Sequence, residues 1–206
     1  MRQEYVNQIK NIEKFYLFYH SSLLTFNPGI DTLLKDIPIK LNNPKFIISH
    51  LTDAPDKPHT RIDVEINDLK EYALNDGQDF VFRSCVIYLY FILEDMIIYR
   101  KFNQSTDECT YTINRAILNE LFEKEESKVF IYKLRELRNA FVHDNSIWSQ
   151  KRAKRLSKSI YNIEDESFSL KLQNIEIRVN EKIKFLNAKE FKWFIDESIN
   201  IIKEIL

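Results

Sequence analysis

The sequence predicts a mainly α protein, a helical bundle with a small antiparallel β addition, and three observations carry that reading. All five prolines (Pro28, Pro38, Pro44, Pro55, Pro58) and both glycines (Gly29, Gly77) fall between positions 28 and 77, so helix breakers are confined to one stretch. Outside it, apolar residues recur at three- and four-residue steps. Near the end the period changes to two, through Phe168, Leu170, Leu172, then Ile175, Ile177, Val179, then Ile183, Phe185.

Taken in order, Ile9, Ile12, Phe15, Tyr16 and Tyr19 place an amphipathic helix over about residues 2–25. The segment 28–77 reads as an irregular insertion with two short alternating runs, Lys45 to Ser49 and Ile62 to Ile66, that suit small strands. Asp79 caps a helix through about Phe102 that is apolar on nearly every side, a pattern that belongs at the centre of a bundle. Two more helices follow at 113–123 and 126–144. Residues 167–186 form the small β meander, and a C-terminal helix over 187–206 opens with Asn187 and Glu190 at capping-box spacing. With 206 residues and 44% hydrophobic content, the whole reads as one domain over 1–206.

Composition excludes several functional classes. Thirty Lys+Arg against 31 Asp+Glu leave a net charge of -1, so nucleic-acid binding needs a local patch rather than a global basic field. Cys85 and Cys109 lack the paired spacing of metal sites or disulfide frameworks, which fits a reducing cytoplasm. The longest apolar run, Cys85 to Leu93, is about half of a ~20-residue membrane span, and the first fourteen residues carry no signal-peptide core, so neither membrane insertion nor processing is expected. Two glycines cannot build a phosphate-binding loop, and His20, His50 and His59 have no companions at metal-ligand spacing, so no metal or cofactor is expected.

The segment with most chemistry is Glu136-Leu137-Arg138-Asn139-Ala140-Phe141-Val142-His143-Asp144-Asn145-Ser146, at the end of the 126–144 helix. With Phe130 at zero and about 100° per residue, Leu134, Leu137 and Phe141 fall within about 40° and form the core face. Arg138 lies at its border, about 80° away; Asn139, Tyr132 and His143 lie at about 180°, 200° and 220° on the back. Ile131 and Val142, at about 100° and 120°, make the flank apolar, which suggests a second buried surface. A surface helix end whose His143 merely complements the dipole would show the same residues.

Arg138, Asn139 and His143, an arginine with a polar residue behind it and a histidine five positions on, resemble the signature of the HEPN superfamily. The resemblance implies an up-and-down helical bundle and a metal-independent ribonuclease in which Arg138, Asn139 and His143 are catalytic. It further implies a homodimer through the motif helix, with Ile131, Val142 and the stripe Tyr132, Asn139, His143 turned to the symmetry mate. The chemistry suits these types: histidine can move either proton in 2'-hydroxyl attack on single-stranded RNA, and an arginine fork can hold two phosphate oxygens. A bacterial toxin or phage-defence effector with an antitoxin partner follows from the family alone. So does its rival, a noncatalytic dimeric module that binds RNA or protein through the same face. The HEPN subset with a tyrosine two residues past the histidine is not matched, since Asn145 stands there.

Two further groups are candidates. Lys151, Arg152, Lys154 and Arg155, with Lys158, form the densest basic cluster and follow Trp148, which could stack on a base; they read either as an RNA-tracking patch or as a solvated face balanced by Glu164, Asp165 and Glu166. Glu94, with Asp95, is a supporting carboxylate by analogy or simply the place where an apolar helix meets water. Arg83 lies about 16 Å from Glu94 along that helix, too far for a direct pair.

Overall fold

The computed structural model of the chain describes residues 1–35, 45–50, 60–103, 113–184 and 188–206. It is mainly helical, with α1 (Arg2–Lys35), β1 (Lys45–His50), β2 (Thr60–Glu65), α2 (Ile66–Leu74), α3 (Asp76–Phe102), α4 (Arg115–Leu121), α5 (Glu125–His143), α6 (Gln150–Tyr161), β3 (Leu170–Lys171), β4 (Glu176–Ile177) and α7 (Ala188–Ile205). Two compact units divide the chain: residues 1–17 with 81–206, and residues 18–80. No described helix is long and apolar enough to cross a membrane.

In the larger unit, aromatic side chains of four helices meet. Phe82 of α3 packs against Phe141 of α5 and against Phe191 and Phe194 of α7, with centroids about 6 Å apart. Tyr16 of α1 stacks on Phe191 at 4.0 Å. Leu134 and Leu137 are fully buried and Phe141 is half-buried, as the 3.6-residue period of α5 requires. The expectation of an α3 enclosed on every side needs correction. Tyr88 and Phe91 of that helix are 62% and 44% exposed, so an aromatic strip remains uncovered within the chain.

In the smaller unit, β1 and β2 pair antiparallel from Lys45↔Glu65 to His50↔Thr60, at the two runs the sequence marks. Two elements differ from expectation. First, α1 runs through Pro28 to Lys35 instead of ending near residue 25. An interior proline forfeits one helical hydrogen bond, but Asn27 Nδ2 donates to the Lys70 carbonyl at 3.2 Å and Lys70 pairs with Asp31, so contacts with α2 hold the helix past the break. Second, Gly77 lies inside α3, where a Cβ would stand 3.1 Å from the Tyr72 carbonyl oxygen, so glycine lets α3 start close against α2.

The β addition is smaller than the expected meander and is wired differently. β3 and β4 make a two-residue hairpin, Leu170↔Ile177. The third run turns back to the chain leaving α5: Ile147 bridges Lys182, Trp148 N donates to the Glu181 carbonyl at 2.9 Å, and Ile183 N donates to the Ser146 carbonyl at 2.7 Å. Edge groups that a meander would satisfy within itself thus fix the segment just beyond the motif. Phe185 and Asn187, and with Asn187 the expected capping box, lie outside the described residues, as do His59 and Cys109.

Candidate functional site

The motif helix ends in a locked turn. Asp144 is the C-cap of α5, and Asn145 and Ser146 take left-handed φ values of 50° and 63°, which asparagine tolerates and a serine adopts only when held. Ser146 is held: its N–H reaches back to the Ala140 carbonyl at 3.0 Å, and its hydroxyl accepts from Arg83 Nη1 at 2.9 Å. Arg83 of α3 therefore does pair across the fold, with the motif turn rather than with Glu94.

Behind this turn lies a buried ion cluster. Arg152 of α6 is 3% exposed; its Nε donates to Asp144 Oδ2 at 2.7 Å and its Nη1 to Glu136 Oε2 at 3.3 Å. Arg135 Nε meets Glu136 Oε1 at 3.2 Å, and the Ser149 hydroxyl donates to Asp144 at 2.9 Å. Burial raises the Asp144 carboxyl, but the hydrogen bonds from Arg152 and Ser149 outweigh it and hold the pKa below the usual value.

Arg138 stands at the border of the core, where the helical period puts it. Its guanidinium carbon is 5.4 Å from the Tyr90 ring centroid and 5.1 Å from that of Phe91, a cation–π arrangement with α3. Nη1 donates to Asn139 Oδ1 at 2.7 Å. Nε is buried and has no acceptor among the described residues. Glu94 touches this group only through an intermediary, accepting the Tyr90 hydroxyl at 2.9 Å, and burial followed by the Glu94 charge keeps that phenol protonated far above its ordinary range.

His143 is exposed in the last turn of α5 and forms no hydrogen bond or ion pair among the described residues. Five residues separate it from Arg138, a rise of about 7.5 Å and a rotation of about 140° along an ideal helix. Asn139 is half-buried and Val142 is 50% exposed, so these two and His143 are what the back of the last turns of the helix offers to solvent. The expected outward stripe is shorter than the wheel implies. Ile131 and Tyr132 are buried in the chain's own core, and Arg135 lies 5.1 Å from the Tyr132 ring centroid while donating to the Ser159 hydroxyl of α6. Tyr132, 4% exposed with the Arg135 guanidinium over its ring, is thus removed from a partner-facing surface.

The basic cluster also divides. Arg152 is consumed by Glu136 and Asp144 and cannot meet a phosphate without leaving two carboxylates behind. Lys154 pairs with Glu164 at 3.0 Å and Lys158 with the same carboxylate at 2.5 Å, the acidic balance that the downstream sequence suggests. Lys151 and Arg155 are exposed and carry no ion pair among the described residues. Trp148 is fully buried with its indole N–H on the Phe168 carbonyl at 2.9 Å, so it is a core residue and not a stacking platform.

The residues that sequence reasoning missed are Arg83, Glu136 and Asp144, with Arg152 misassigned. A signal for Arg152 exists: Leu156 and Ile160, four and eight residues on, place it on the apolar face of its helix. Among the described residues no group of three His, Cys, Asp or Glu side chains is placed to hold a metal ion. No protein-family model, curated protein or solved structure matches this chain.

Proposed function

We propose that the chain is a HEPN-type, metal-independent endoribonuclease that cleaves single-stranded RNA by 2'-hydroxyl attack, acting in the cytoplasm as a homodimer through the C-terminal half of α5. A toxin or phage-defence role, with an antitoxin protein as partner, belongs to the same proposal. The observation that carries it is Arg138: a half-buried guanidinium at the border of the core, steadied by two rings and by Asn139. An arginine held this way has its orientation already fixed, so that the guanidinium nitrogens other than the enclosed Nε are pre-set for a phosphate.

In the proposed reaction one His143 takes the 2'-hydroxyl proton, the 2'-oxygen bonds to phosphorus, and the bond to the 5'-oxygen breaks as that oxygen receives a proton from the His143 of a second copy. Arg138 balances charge on the non-bridging oxygens. Two copies would supply one imidazole as base and the other as acid, and exposed Val142 and Phe91 supply apolar surface for their contact. The exposed, unpartnered His143 also favours a second reading, in which the same face only binds RNA or protein, since nothing described fixes its imidazole for proton transfer.

The test is cleavage of a mixed RNA panel in excess EDTA, with product ends analysed by mass spectrometry and DNA as control. The expected products carry 2',3'-cyclic phosphates; His143→Ala lowers the rate by about 10²–10⁴-fold with RNA affinity retained, and Arg138→Ala lowers both. A dimer is expected by light scattering. Absent cleavage with retained RNA or protein binding selects the second reading, and cleavage that survives both substitutions places the chemistry elsewhere.

A further inference from the structure

The opposite half of α5 carries a second feature, distinct from the motif. A cleft of about 580 Å³ is lined by Val129 and Phe130 of α5, Ile160 of α6 and Trp193 of α7. Phe130 meets Trp193 edge to face, with centroids 5.4 Å apart and planes at 82°. The volume lies within the range of small-molecule sites. Phe130 is thirteen residues from His143 along the helix, a rise of roughly 20 Å, so this cleft is not part of the proposed nuclease surface.

Two ionisable side chains of opposite sign face the same apolar space, Lys133 from α5 and Glu197 from α7. Both are half-buried, and among the described residues neither makes a hydrogen bond or an ion pair. That contrasts with Glu136, Asp144 and Arg152, whose charges are matched within the chain. Burial, with Lys171 nearby, lowers the Lys133 pKa; burial, with Asp196 nearby, raises that of Glu197 against the opposing pull of Lys124. Both shifts point toward the neutral form, the behaviour of charges whose lost hydration outweighs the attraction they have gained.

We infer that this cleft binds a small zwitterion with an apolar body, such as an apolar α-amino acid, its ammonium on Glu197, its carboxylate on Lys133 and its side chain against Phe130 and Trp193. A purely apolar ligand would desolvate both ions further without compensating either. A bare acid would meet Lys133 but also Glu126 and Glu197, so the amine is the stronger handle. Glu125, which lines the cleft too, is already matched by Lys128 at 3.2 Å. The inference stands on the cleft alone and is independent of the ribonuclease proposal.

The experiment uses the full chain and three probes of one shape: L-phenylalanine, phenethylamine and 3-phenylpropionate. Binding is followed by calorimetry and by tryptophan fluorescence, where Trp193 lines the cleft and the other tryptophan, Trp148, is buried with its N–H already bonded. The expected order of affinity is phenylalanine, then phenethylamine, then phenylpropionate. Glu197→Gln and Lys133→Gln should each weaken phenylalanine about tenfold, the loss of one charge-assisted contact, whereas Glu197→Gln should not weaken phenylpropionate. The wild-type order is a test in itself and does not depend on the variants folding. Absence of phenylalanine binding up to about 10 mM, equal affinity for the three probes, or indifference of phenylalanine to both substitutions in folded protein overturns the inference.

Discussion

Arg138 at the end of α5 and Arg152 in α6 are both arginines in basic, candidate nucleic-acid-binding segments, and the fold treats them in opposite ways. Arg152 is enclosed and bonded to two carboxylates, so its charge stabilises the junction of α5 with α6. Arg138 is half-buried at the border of the core, is oriented by two aromatic rings and one amide, and forms no ion pair among the described residues. The lesson is about availability. A positive residue in a sequence is a candidate for a phosphate only after its intramolecular acceptors are counted, because a buried guanidinium leaves its carboxylates uncompensated when it moves.

Removing each arginine should break the comparison cleanly. Arg152→Ala leaves Glu136 buried with Arg135 as its remaining cation, and the expected loss is about 3 kcal/mol, near the lower end for a broken buried pair, read from the urea midpoint. The double replacement Arg152→Met with Glu136→Met should recover at least half of that loss, since an apolar pair has no desolvated charge to compensate. Arg138→Ala should shift the midpoint by only about 1 kcal/mol, because it forfeits ring contacts and one part-buried hydrogen bond but leaves no carboxylate without its cation. If the two arginines prove equally costly, Arg138 is structural and the ribonuclease proposal loses its main support.

The same ion cluster gives a pH signature. The Asp144 pKa is held below the carboxylate reference of 3.8, so its contribution is fully present above that pH and is lost as pH falls through the lower folded value. Unfolding followed by circular dichroism below about pH 4 should therefore be less steep for Asp144→Asn than for the wild type, with the variant less stable at pH 7. Coincident pH profiles would mean that Arg152 holds Asp144 too weakly to matter.

The smallest effect concerns the outer face of α6. Lys151 and Arg155 are the cations of the expected patch that carry no ion pair among the described residues, so their joint replacement by alanine should change stability by less than about 0.5 kcal/mol. If RNA crosses this face, the log-log salt slope should fall by roughly 1.4 in magnitude, at ~0.7 per phosphate contact. If Lys154 and Arg152 also leave their carboxylates when RNA binds, replacing all four cations should lower the slope by roughly 3 instead, at ~0.7 per contact.

Periodicity alone determined the helices over 79–102, 113–123 and 126–144 to within a few residues, the two strands flanking the proline loop, and the core face of Leu134, Leu137 and Phe141, because these patterns come from local geometry and apolar burial. It also placed Arg138 at the border of that face. Three things only the tertiary structure decided. The length of α1 past Pro28 depends on Asn27 and Asp31 meeting Lys70, more than forty and nearly forty residues away, and no local rule anticipates such partners. The burial of Tyr132 on a flank that a wheel drawn for α5 alone leaves open accompanies the placing of Arg135 over its ring, with Arg135 itself tied to Ser159 of α6. The fates of Arg152 and Trp148 depend on Glu136, Asp144 and the Phe168 carbonyl, which sequence separates by eight to twenty residues and packing brings within hydrogen-bond distance. Local sequence sets which groups are polar and which face they share; whether a charge is spent or left for a ligand is fixed by long-range contacts, since desolvation is decided by whatever element comes to lie on top.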